Sequence, residues 1–383
     1  MMKRFWLVFM LRLMLVCGGC LDLDVSLLGD DDEGGNSNDA EGNSDPSQLP
    51  GTENGGWADV AYGVAGHLMG AERGVVFYGF DTLAYPDSTA ELTARLQSAK
   101  NIQGIANATL GFYRGEKLIG KAKTNKGGYA SVKLQTGTTG TTEYAVKVLS
   151  VPESVDQSVK QVTPASLLVA VRRKNVEIVV IDLDHTAVES GFFRVLVGGA
   201  KPMPGASKAI QRIEEDYQIV YLTHRPDLLA SKSKRWLTQH GFPRAPLMVS
   251  ELRQAFGDSG KFKTARLSAL KDVYPNVEIG IGDKFSDAQA YVNNGLTAYL
   301  IPDYDPNDLE DVREVIDELR RLNGKGRLNV VDGWSEVPAG IYRGKRFPPE
   351  EYIRNLRNRR SRLRARERRE GDDDDDDEEE DDD

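Results

Sequence analysis

Two aspartates, separated by a single residue, follow an apolar run of β-branched residues in this chain. The run covers residues 178–181, and Asp182 and Asp184 come directly after it on either side of Leu183. A continuous run of this kind predicts a strand that is buried on both faces in the middle of a parallel sheet. Carboxylates buried there without a partner are costly, so they need protons or a cation. Mg²⁺, which prefers oxygen ligands, is the natural cation for such a pair.

A second apolar run ends in acidic residues in the same way. Residues 277–282 lead into Asp283, and Asp287 follows later in the same segment. Gly282, at the end of the run, lets the backbone come close to whatever the acids hold. This segment therefore predicts a second group of carboxylates at the end of a second buried strand.

A third apolar run, residues 218–222, ends in a hydroxyl group and a cation. Thr223, His224 and Arg225 follow it directly. In open α/β sheets, ligands bind just beyond the carboxyl ends of the strands. Three strands that all end in residues suited to phosphate and Mg²⁺ therefore predict one common site at this edge of the sheet.

Together these segments resemble the motifs of the haloacid-dehalogenase (HAD) phosphohydrolase superfamily. The motifs are Asp-x-Asp-x-Thr at residues 182–186, an apolar strand that ends in Thr223, a later lysine, and Gly-Asp-x-x-x-Asp at residues 282–287. The resemblance implies a HAD-like fold and phosphatase chemistry.

Within that superfamily, residues 176–305 resemble the lipin/LNS2-type catalytic domain. That branch includes Mg²⁺-dependent phosphatidate phosphatases and the related C-terminal domain of phosphatidylinositol-transfer proteins. The chain departs from it at two positions: His185 stands where lipins usually carry glycine, and Asp283 stands where they often carry asparagine. Aspartate at the second position is common across the wider superfamily. The segments that carry the resemblance are residues 244–250, 262–263, 265–267 and 282–295.

The resemblance implies distinct roles for the first two aspartates. Asp182 would attack phosphorus and form an aspartyl-phosphate, and Asp184 would protonate the leaving oxygen and later activate water. Successive side chains on a strand point to opposite faces. Both aspartates can therefore face one pocket only if the chain leaves strand geometry after Leu183.

The resemblance also assigns the remaining site residues. Thr223 would donate its hydroxyl to a phosphoryl oxygen, and Lys263 would neutralise the nucleophile and the developing phosphoryl charge, with Lys261 and Lys271 as competing lysines. His224 and Arg225 would either contact the substrate or cap the helix that follows. The expected Mg²⁺ ligands are the Asp182 side chain, the Asp184 backbone carbonyl and Asp283, with Asp287 supporting the site in a second shell or through water.

The spacing of the motifs bears on the size of the substrate. The short gaps between Asp182, Thr223 and Lys263 leave no room for a large cap domain beyond a strand and a helix. An open site suits a membrane lipid or a macromolecule better than a small sugar phosphate. Together with this open site, the lipin/LNS2-type resemblance implies a Mg²⁺-dependent phosphatase that acts on phosphatidate or a related phospholipid. Three alternatives stay open: a phosphomonoesterase of other specificity, a non-catalytic phospholipid-binding module, and a surface adhesion protein that works through its β-sandwich.

Two different patterns divide the folded part of the chain. Residues 71–172 carry short alternating strands separated by turn signals, which predicts an all-β sandwich that resembles bacterial Ig-like modules. From residue 176 onwards, apolar strands alternate with helical stretches. This pattern predicts an α/β doubly wound parallel sheet, a HAD-like Rossmannoid fold, over residues 176–323. The expected helices cover residues 206–217, 228–240, 262–274, 287–294 and 308–322.

The N-terminal residues have the pattern of a secretory signal. Residues 1–20 begin with basic residues, continue with a short apolar stretch and end at Cys20. This end resembles the lipid-attachment site of bacterial lipoproteins. We expect a lipid anchor on Cys20 that holds the protein at the bacterial cell envelope, on its periplasmic or surface side; a cleaved soluble form is the alternative. Residues 21–70 predict a disordered linker, because they are polar and rich in Gly.

The C-terminal end carries two blocks of opposite charge. Residues 354–369 are rich in arginine, and residues 372–383 are all acidic. We expect a C-terminal extension over residues 324–350, followed by the Arg-rich segment and an acidic disordered tail over residues 351–383. The arginines are either solvated or contact anionic lipid headgroups. No segment resembles a nucleic-acid-binding module, so we expect no nucleic-acid partner.

Overall fold

The computed structural model describes residues 70–191, 199–252, 254–324 and 326–375. These residues belong to one compact unit. The predicted signal, Cys20 and the predicted linker up to residue 69 lie outside the described residues, as do residues 376–383 of the acidic tail. Among the described residues, no helix combines the length and the apolar character needed to cross a membrane.

Residues 70–172 form an all-β region with two sheets. β1, β3 and β6 make one sheet, and β2, β8, β7, β4 and β5 make the other in that order. One hydrophobic core includes residues of both sheets, such as Leu96 and Phe112, which are fully buried. The prediction of an all-β architecture is confirmed, and its Ig-like identity stays a prediction. The strands are β1 (Val75–Phe80), β2 (Thr82–Ala84), β3 (Thr89–Ser98), β4 (Thr109–Arg114), β5 (Lys117–Lys123), β6 (Tyr129–Gln135), β7 (Gly140–Ser150) and β8 (Ala165–Val171).

Residues 176–375 form an α/β region around a parallel sheet. Its strands lie in the order β11-β10-β9-β12-β13-β14, and every neighbouring pair is parallel. β9 lies in the middle and is fully buried, as its continuous apolar sequence predicts. The strands are β9 (Ile178–Ile181), β10 (Gln218–Pro226), β11 (Leu247–Ser250), β12 (Val277–Gly282), β13 (Thr297–Leu300) and β14 (Leu328–Val330).

Helices flank the parallel sheet and begin close to where the sequence pattern predicts them. α3, α4, α5 and the first part of α7 contribute to one hydrophobic core with the strands. Asp258 and Asp308 cap α3 and α5, because their side chains accept hydrogen bonds from backbone N–H groups of the first turn. The helices are α1 (Ala206–Glu214), α2 (Ala230–Gln239), α3 (Ser259–Val273), α4 (Phe285–Asn293), α5 (Leu309–Arg321), α6 (Val337–Arg343) and α7 (Pro349–Asp375).

The stretch expected as a C-terminal extension supplies the last strand of the sheet. β14 pairs with β13 and forms one edge, and α6 follows it. α7 then carries the arginine-rich segment together with Asp372–Asp375, the start of the tail that we expected to be disordered.

Candidate active site

A tight turn after β9 sets the positions of the first two aspartates. The backbone N–H of Asp182 donates to the Ile281 carbonyl at 3.0 Å, so this residue is still held at the sheet. The Leu183 carbonyl then accepts from the N–H of Val188 at 2.8 Å, which closes the turn. Within it, His185 has a φ of 54°, in the left-handed region that favours glycine. The chain thus leaves strand geometry directly after Leu183, through a backbone conformation that glycine would adopt more readily than histidine.

Three carboxylates converge where β9 and β12 end. Oxygens of Asp182, Asp283 and Asp287 lie within 4.8 Å of one another, and all three residues are buried. Asp182 and Asp283 follow adjacent parallel strands, whereas Asp287 reaches the cluster from the first turn of α4. A Cβ at Gly282 would lie 3.2 Å from the Asp287 carboxylate, so the glycine leaves room for this side chain.

Lys263, on α3, is the cation of this cluster. Its ammonium group lies 3.0 Å from Oδ1 of Asp182 and 2.5 Å from Oδ2 of Asp287, and its side chain is 1% exposed. The two competing lysines lie elsewhere: Lys261 is exposed, and Lys271 donates to the Asn294 carbonyl. Burial opposes the charged ammonium, but attraction by Asp182 and Asp287 outweighs it and raises the pKa of Lys263 well above its usual value.

The carboxylates are short of positive charge. Burial, followed by repulsion from Asp182 and Asp287, raises the pKa of Asp283 well above its ordinary value. Burial raises the pKa of Asp287 to about 6, even though Lys263 works in the opposite direction. A carboxylate in such surroundings needs either a proton or a further cation.

The donor set fits a divalent cation of the Mg²⁺ type. Oδ1 of Asp287 is buried and has no hydrogen-bond partner among the described residues, so one oxygen is left for a ligand. With Lys263 charged, three carboxylates carry two more negative charges than the cluster has positive ones. An all-oxygen set of carboxylates is what Mg²⁺ prefers. Asp182, Asp283 and Asp287 would hold the ion, and the side chain of Asp184 is not part of this cluster.

Asp184 is instead bound to Arg225. The guanidinium donates from Nε to Oδ2 at 3.0 Å and from Nη2 to Oδ1 at 2.6 Å. Arg225 also donates from Nη1 to the hydroxyl oxygen of Ser233 at 2.9 Å, and its side chain is 2% exposed. From the sequence we expected Arg225 to contact the substrate or to cap a helix. In the structure its side chain instead makes two hydrogen bonds to Asp184 and one to Ser233 of α2, and so positions both.

Thr223 and His224 line the same edge of the sheet. Thr223 is buried at the end of the apolar part of β10, and its hydroxyl oxygen accepts from the N–H of Arg225 at 3.3 Å. Nε2 of His224 lies 2.8 Å from the Gln254 carbonyl, and the ring packs against Phe262. Burial lowers the pKa of His224, which favours the neutral imidazole.

Three supporting residues were not assigned a role at the site from the sequence. Thr186 donates to Oδ1 of Asp283 at 3.1 Å, and Trp334 donates from Nε1 to the Thr186 carbonyl at 2.7 Å. Ser233 holds Arg225, as described above. Thr186 belongs to the Asp-x-Asp-x-Thr motif, but its contact with Asp283 depends on the fold.

Residues 179–301 match the family model described as "PITM 1-3, LNS2 domain". The matched stretch covers the sheet from β9 to β13 with all four residues of the carboxylate–lysine cluster. The match supports an LNS2/lipin-like domain of HAD type in this part of the chain and, at that level, a phosphatase-type family. Phosphatases of this type typically use Mg²⁺, which agrees with the acidic cluster. No curated protein matches the chain.

Solved structures show only weak similarity to this chain. The Pnkp1/Rnl/Hen1 RNA repair complex is 13% identical with a TM-score of 0.31, and the match covers 35% of this chain and 45% of that one. The ZirS C-terminal domain is 11% identical with a TM-score of 0.19, covering 40% and 94%. Titin-A168169 is 14% identical with a TM-score of 0.17, covering 27% and 55%. The chain thus spans about half the length of the first and third of these, and no functional argument rests on such scores.

Proposed function

We propose that the α/β region is a Mg²⁺-dependent phosphatase that works through an aspartyl-phosphate on Asp182. The observation that carries this proposal is the buried cluster of Asp182, Asp283 and Asp287 with Lys263 at the carboxyl end of β9 and β12. The match of residues 179–301 to the LNS2 model supports the same chemistry.

In the proposed reaction, an oxygen of Asp182 forms a bond to phosphorus while the bond from phosphorus to the leaving oxygen breaks. Asp184, protonated at the start, gives its proton to that oxygen. A water molecule then attacks phosphorus, Asp184 takes up one of its protons, and the bond to Asp182 breaks to release phosphate. The ammonium group of Lys263, 3.0 Å from Oδ1 of Asp182, holds the nucleophile in place and offers positive charge to the phosphoryl group. The Thr223 hydroxyl is the donor for a phosphoryl oxygen.

Bound Mg²⁺ would neutralise charge on the phosphoryl oxygens, and Asp182, Asp283 and Asp287 are the side chains that would hold it.

The contact between Asp184 and Arg225 adds a condition to the mechanism. Both carboxylate oxygens of Asp184 accept hydrogen bonds from Arg225, so N–H groups of the guanidinium occupy the positions from which Asp184 would pass a proton. Asp184 must therefore leave this contact, at least in part, before it can donate a proton.

The same contact favours one competing function, a domain that binds phospholipid without hydrolysing it. An Asp184 that stays on Arg225 cannot protonate a leaving group, although the carboxylate–lysine cluster could still bind a phosphate through Mg²⁺. The two functions differ in turnover and not in binding.

We propose phosphatidate or a related phospholipid as the substrate, and the bacterial envelope as the location. The LNS2 match and the short gaps between the motifs support the lipid substrate. The lipoprotein-like sequence that ends at Cys20 supports the location. A lipid anchor would confine the enzyme to a surface that contains its substrate. Mass spectrometry of the mature N-terminus should find acylated Cys20; an unprocessed Met1 terminus in the cytosol would contradict the proposed location.

The test is turnover of three phosphate monoesters by the purified protein: phosphatidate in mixed micelles, glycerol 3-phosphate and p-nitrophenyl phosphate, each with Mg²⁺ or excess chelator. We expect Mg²⁺-dependent release of phosphate, fastest from phosphatidate and rising with its surface density. Equal rates on the lipid and soluble esters would indicate a general phosphomonoesterase. Lipid binding without phosphate release would indicate the non-catalytic function.

A further inference from the structure

Asp227 is a buried carboxylate outside the proposed chemistry. Its side chain is 1% exposed, and it lies two residues after Arg225. Burial raises its pKa, so the carboxylate depends on a cation to stay charged. Arg95 of β3 supplies that cation from the all-β region: Nη1 lies 2.7 Å from Oδ2 of Asp227. A buried ion pair therefore joins the all-β region to the loop that follows Arg225.

Arg95 is held firmly within the all-β region. Its Nε donates to the Gly127 carbonyl at 3.0 Å, and its guanidinium lies 4.3 Å from the centre of the Tyr129 ring. Its side chain is 15% exposed. A guanidinium fixed by a hydrogen bond and an aromatic face has little freedom left, so it can fix the position of its partner.

Asp227 connects the fixed guanidinium of Arg95 to the segment that leads into α2. Asp227 is the first residue of the 3₁₀ turn that leads into the helix, and its Oδ1 accepts from the N–H of Leu228 at 3.0 Å. α2 carries Ser233, whose hydroxyl accepts from Arg225 at 2.9 Å. Arg225 in turn binds both oxygens of Asp184. A continuous series of contacts thus runs from β3 to the proposed acid/base.

A second contact holds α2 to the all-β region beside Ser233. Nζ of Lys234 lies 2.6 Å from Oδ1 of Asp81 and 2.9 Å from the Gly79 carbonyl. The other oxygen of Asp81 accepts from the N–H of Leu247, on β11. The all-β region therefore contacts the turn just before α2, the middle of α2, and the edge strand of the parallel sheet.

We propose that the all-β region is a working part of the active site, and that Arg95 is its positioning residue. Arg95 fixes Asp227 and the start of α2, which fixes Arg225, and Arg225 sets the position of Asp184. The catalytic consequence rests on the proposed phosphatase function, whereas the effect of Arg95 on the loop does not.

The test compares Arg95→Leu with Arg244→Leu in the whole protein. Arg244 also forms an ion pair across the two regions, with Glu143, but that pair is exposed and does not contact the path to Asp184. With p-nitrophenyl phosphate and saturating Mg²⁺, Arg95→Leu should lower kcat by about 10- to 100-fold with little change in KM, because a displaced acid/base impairs the chemical step more than binding. Arg95→Lys, which keeps the charge, should recover part of the loss, and Arg244→Leu should resemble the wild type.

Two further measurements separate positioning from loss of folding. The double variant Arg95→Leu/Asp227→Asn should lose no more kcat than the more impaired single variant, because both act on one path. In hydrogen exchange without substrate, Arg95→Leu should make the amides of residues 223–233 exchange about tenfold faster, while those of β12 stay unchanged.

Wild-type exchange in residues 223–233 of Arg95→Leu would overturn the proposal. Unchanged kcat in that variant, or an equal loss in Arg244→Leu, would overturn it as well. If the wild-type protein releases no phosphate but Arg95→Leu still accelerates local exchange, the phosphatase function fails and the positioning of the loop by Arg95 stands.

Discussion

Arg225 binds both carboxylate oxygens of Asp184, at 3.0 and 2.6 Å, and it does so from a buried position. The contact fixes the side chain that would exchange protons with the substrate and with water. It also occupies both oxygens of Asp184, so one of the two hydrogen bonds must open before this side chain can pass a proton. The strength of this contact should therefore control how fast the proposed enzyme turns over.

The first prediction concerns the planar fork of Arg225. Arg225→Lys keeps a positive charge but cannot bind both oxygens of Asp184 in the same way. We expect kcat to fall by about tenfold or more, with Mg²⁺ affinity unchanged, because the metal cluster does not include Arg225. Steady-state kinetics with p-nitrophenyl phosphate measure this, and Arg212→Lys, at an exposed ion pair on α1, is the control. A kcat equal to that of the wild type would show that the bidentate contact of Arg225 with Asp184 has no part in turnover.

The second prediction concerns the charge balance of the buried cluster. Lys263→Met removes an ammonium that pairs with Asp182 and Asp287. Breaking a buried pair in this way should lower the free energy of unfolding by about 3–5 kcal/mol in the absence of metal. Urea unfolding with and without Mg²⁺ tests it, and Lys261→Met, at an exposed position on the same helix, is the control. A Lys263→Met protein as stable as the control would contradict the proposed balance.

The third prediction concerns the pH dependence of stability without metal. The pKa of Asp287 is raised from 3.8 to about 6 in the folded protein, so the unfolded chain releases this proton first as the pH rises. Stability should therefore fall as the pH rises from about 4 to about 6 through this group. Added Mg²⁺, which binds the ionised carboxylates, should reduce the fall, and Asp287→Asn should reduce the slope. If the melting temperatures of the wild type and of Asp287→Asn both rose from pH 4 to pH 6 with the same slope, the raised pKa would not belong to Asp287.

The fourth prediction concerns the exposed arginines of α7. Replacing Arg354, Arg357 and Arg364 by glutamine should weaken binding to anionic vesicles by about 1 kcal/mol for each residue that reaches the surface, and added salt should have the same effect. Vesicle sedimentation measures it. Glutamine at Arg212, Arg313 and Arg321, which removes equal charge from other helices, is the control. If the two triple variants bind anionic vesicles equally well, the arginines of α7 do not contact lipid in the way proposed.

The sequence was sufficient to predict the central arrangement of the site. Buried runs before Asp182, Thr223 and Asp283 predict neighbouring parallel strands, and parallel strands bring their carboxyl ends to one edge. The position of Arg225 was not predictable in this way. Its side chain could have pointed to the solvent-exposed mouth, and only the packing of α2 places Ser233 and Asp184 around it.

The contribution of the all-β region could not be predicted from the sequence either. Thr89–Ser98, which forms β3, contains Ala, Leu, Glu and Arg, which are good helix formers, so its composition does not mark it as a strand. The ion pair of Arg95 with Asp227 joins residues 132 positions apart. Local spacing carries no information on such a contact, which depends on how two regions pack.

The most direct test of the central claim is the binding of beryllium fluoride, which mimics a phosphoryl group on aspartate. Fluorine-19 NMR of the wild-type protein should show a bound resonance that requires Mg²⁺. Because no substrate is added, the result holds whatever the natural substrate is. Asp182→Asn should lose this resonance, and Asp317→Asn, on the exposed face of α5, should keep it. A bound resonance that persists in Asp182→Asn, or in the wild type with excess chelator, would contradict the claim that Asp182 is a Mg²⁺-dependent nucleophile.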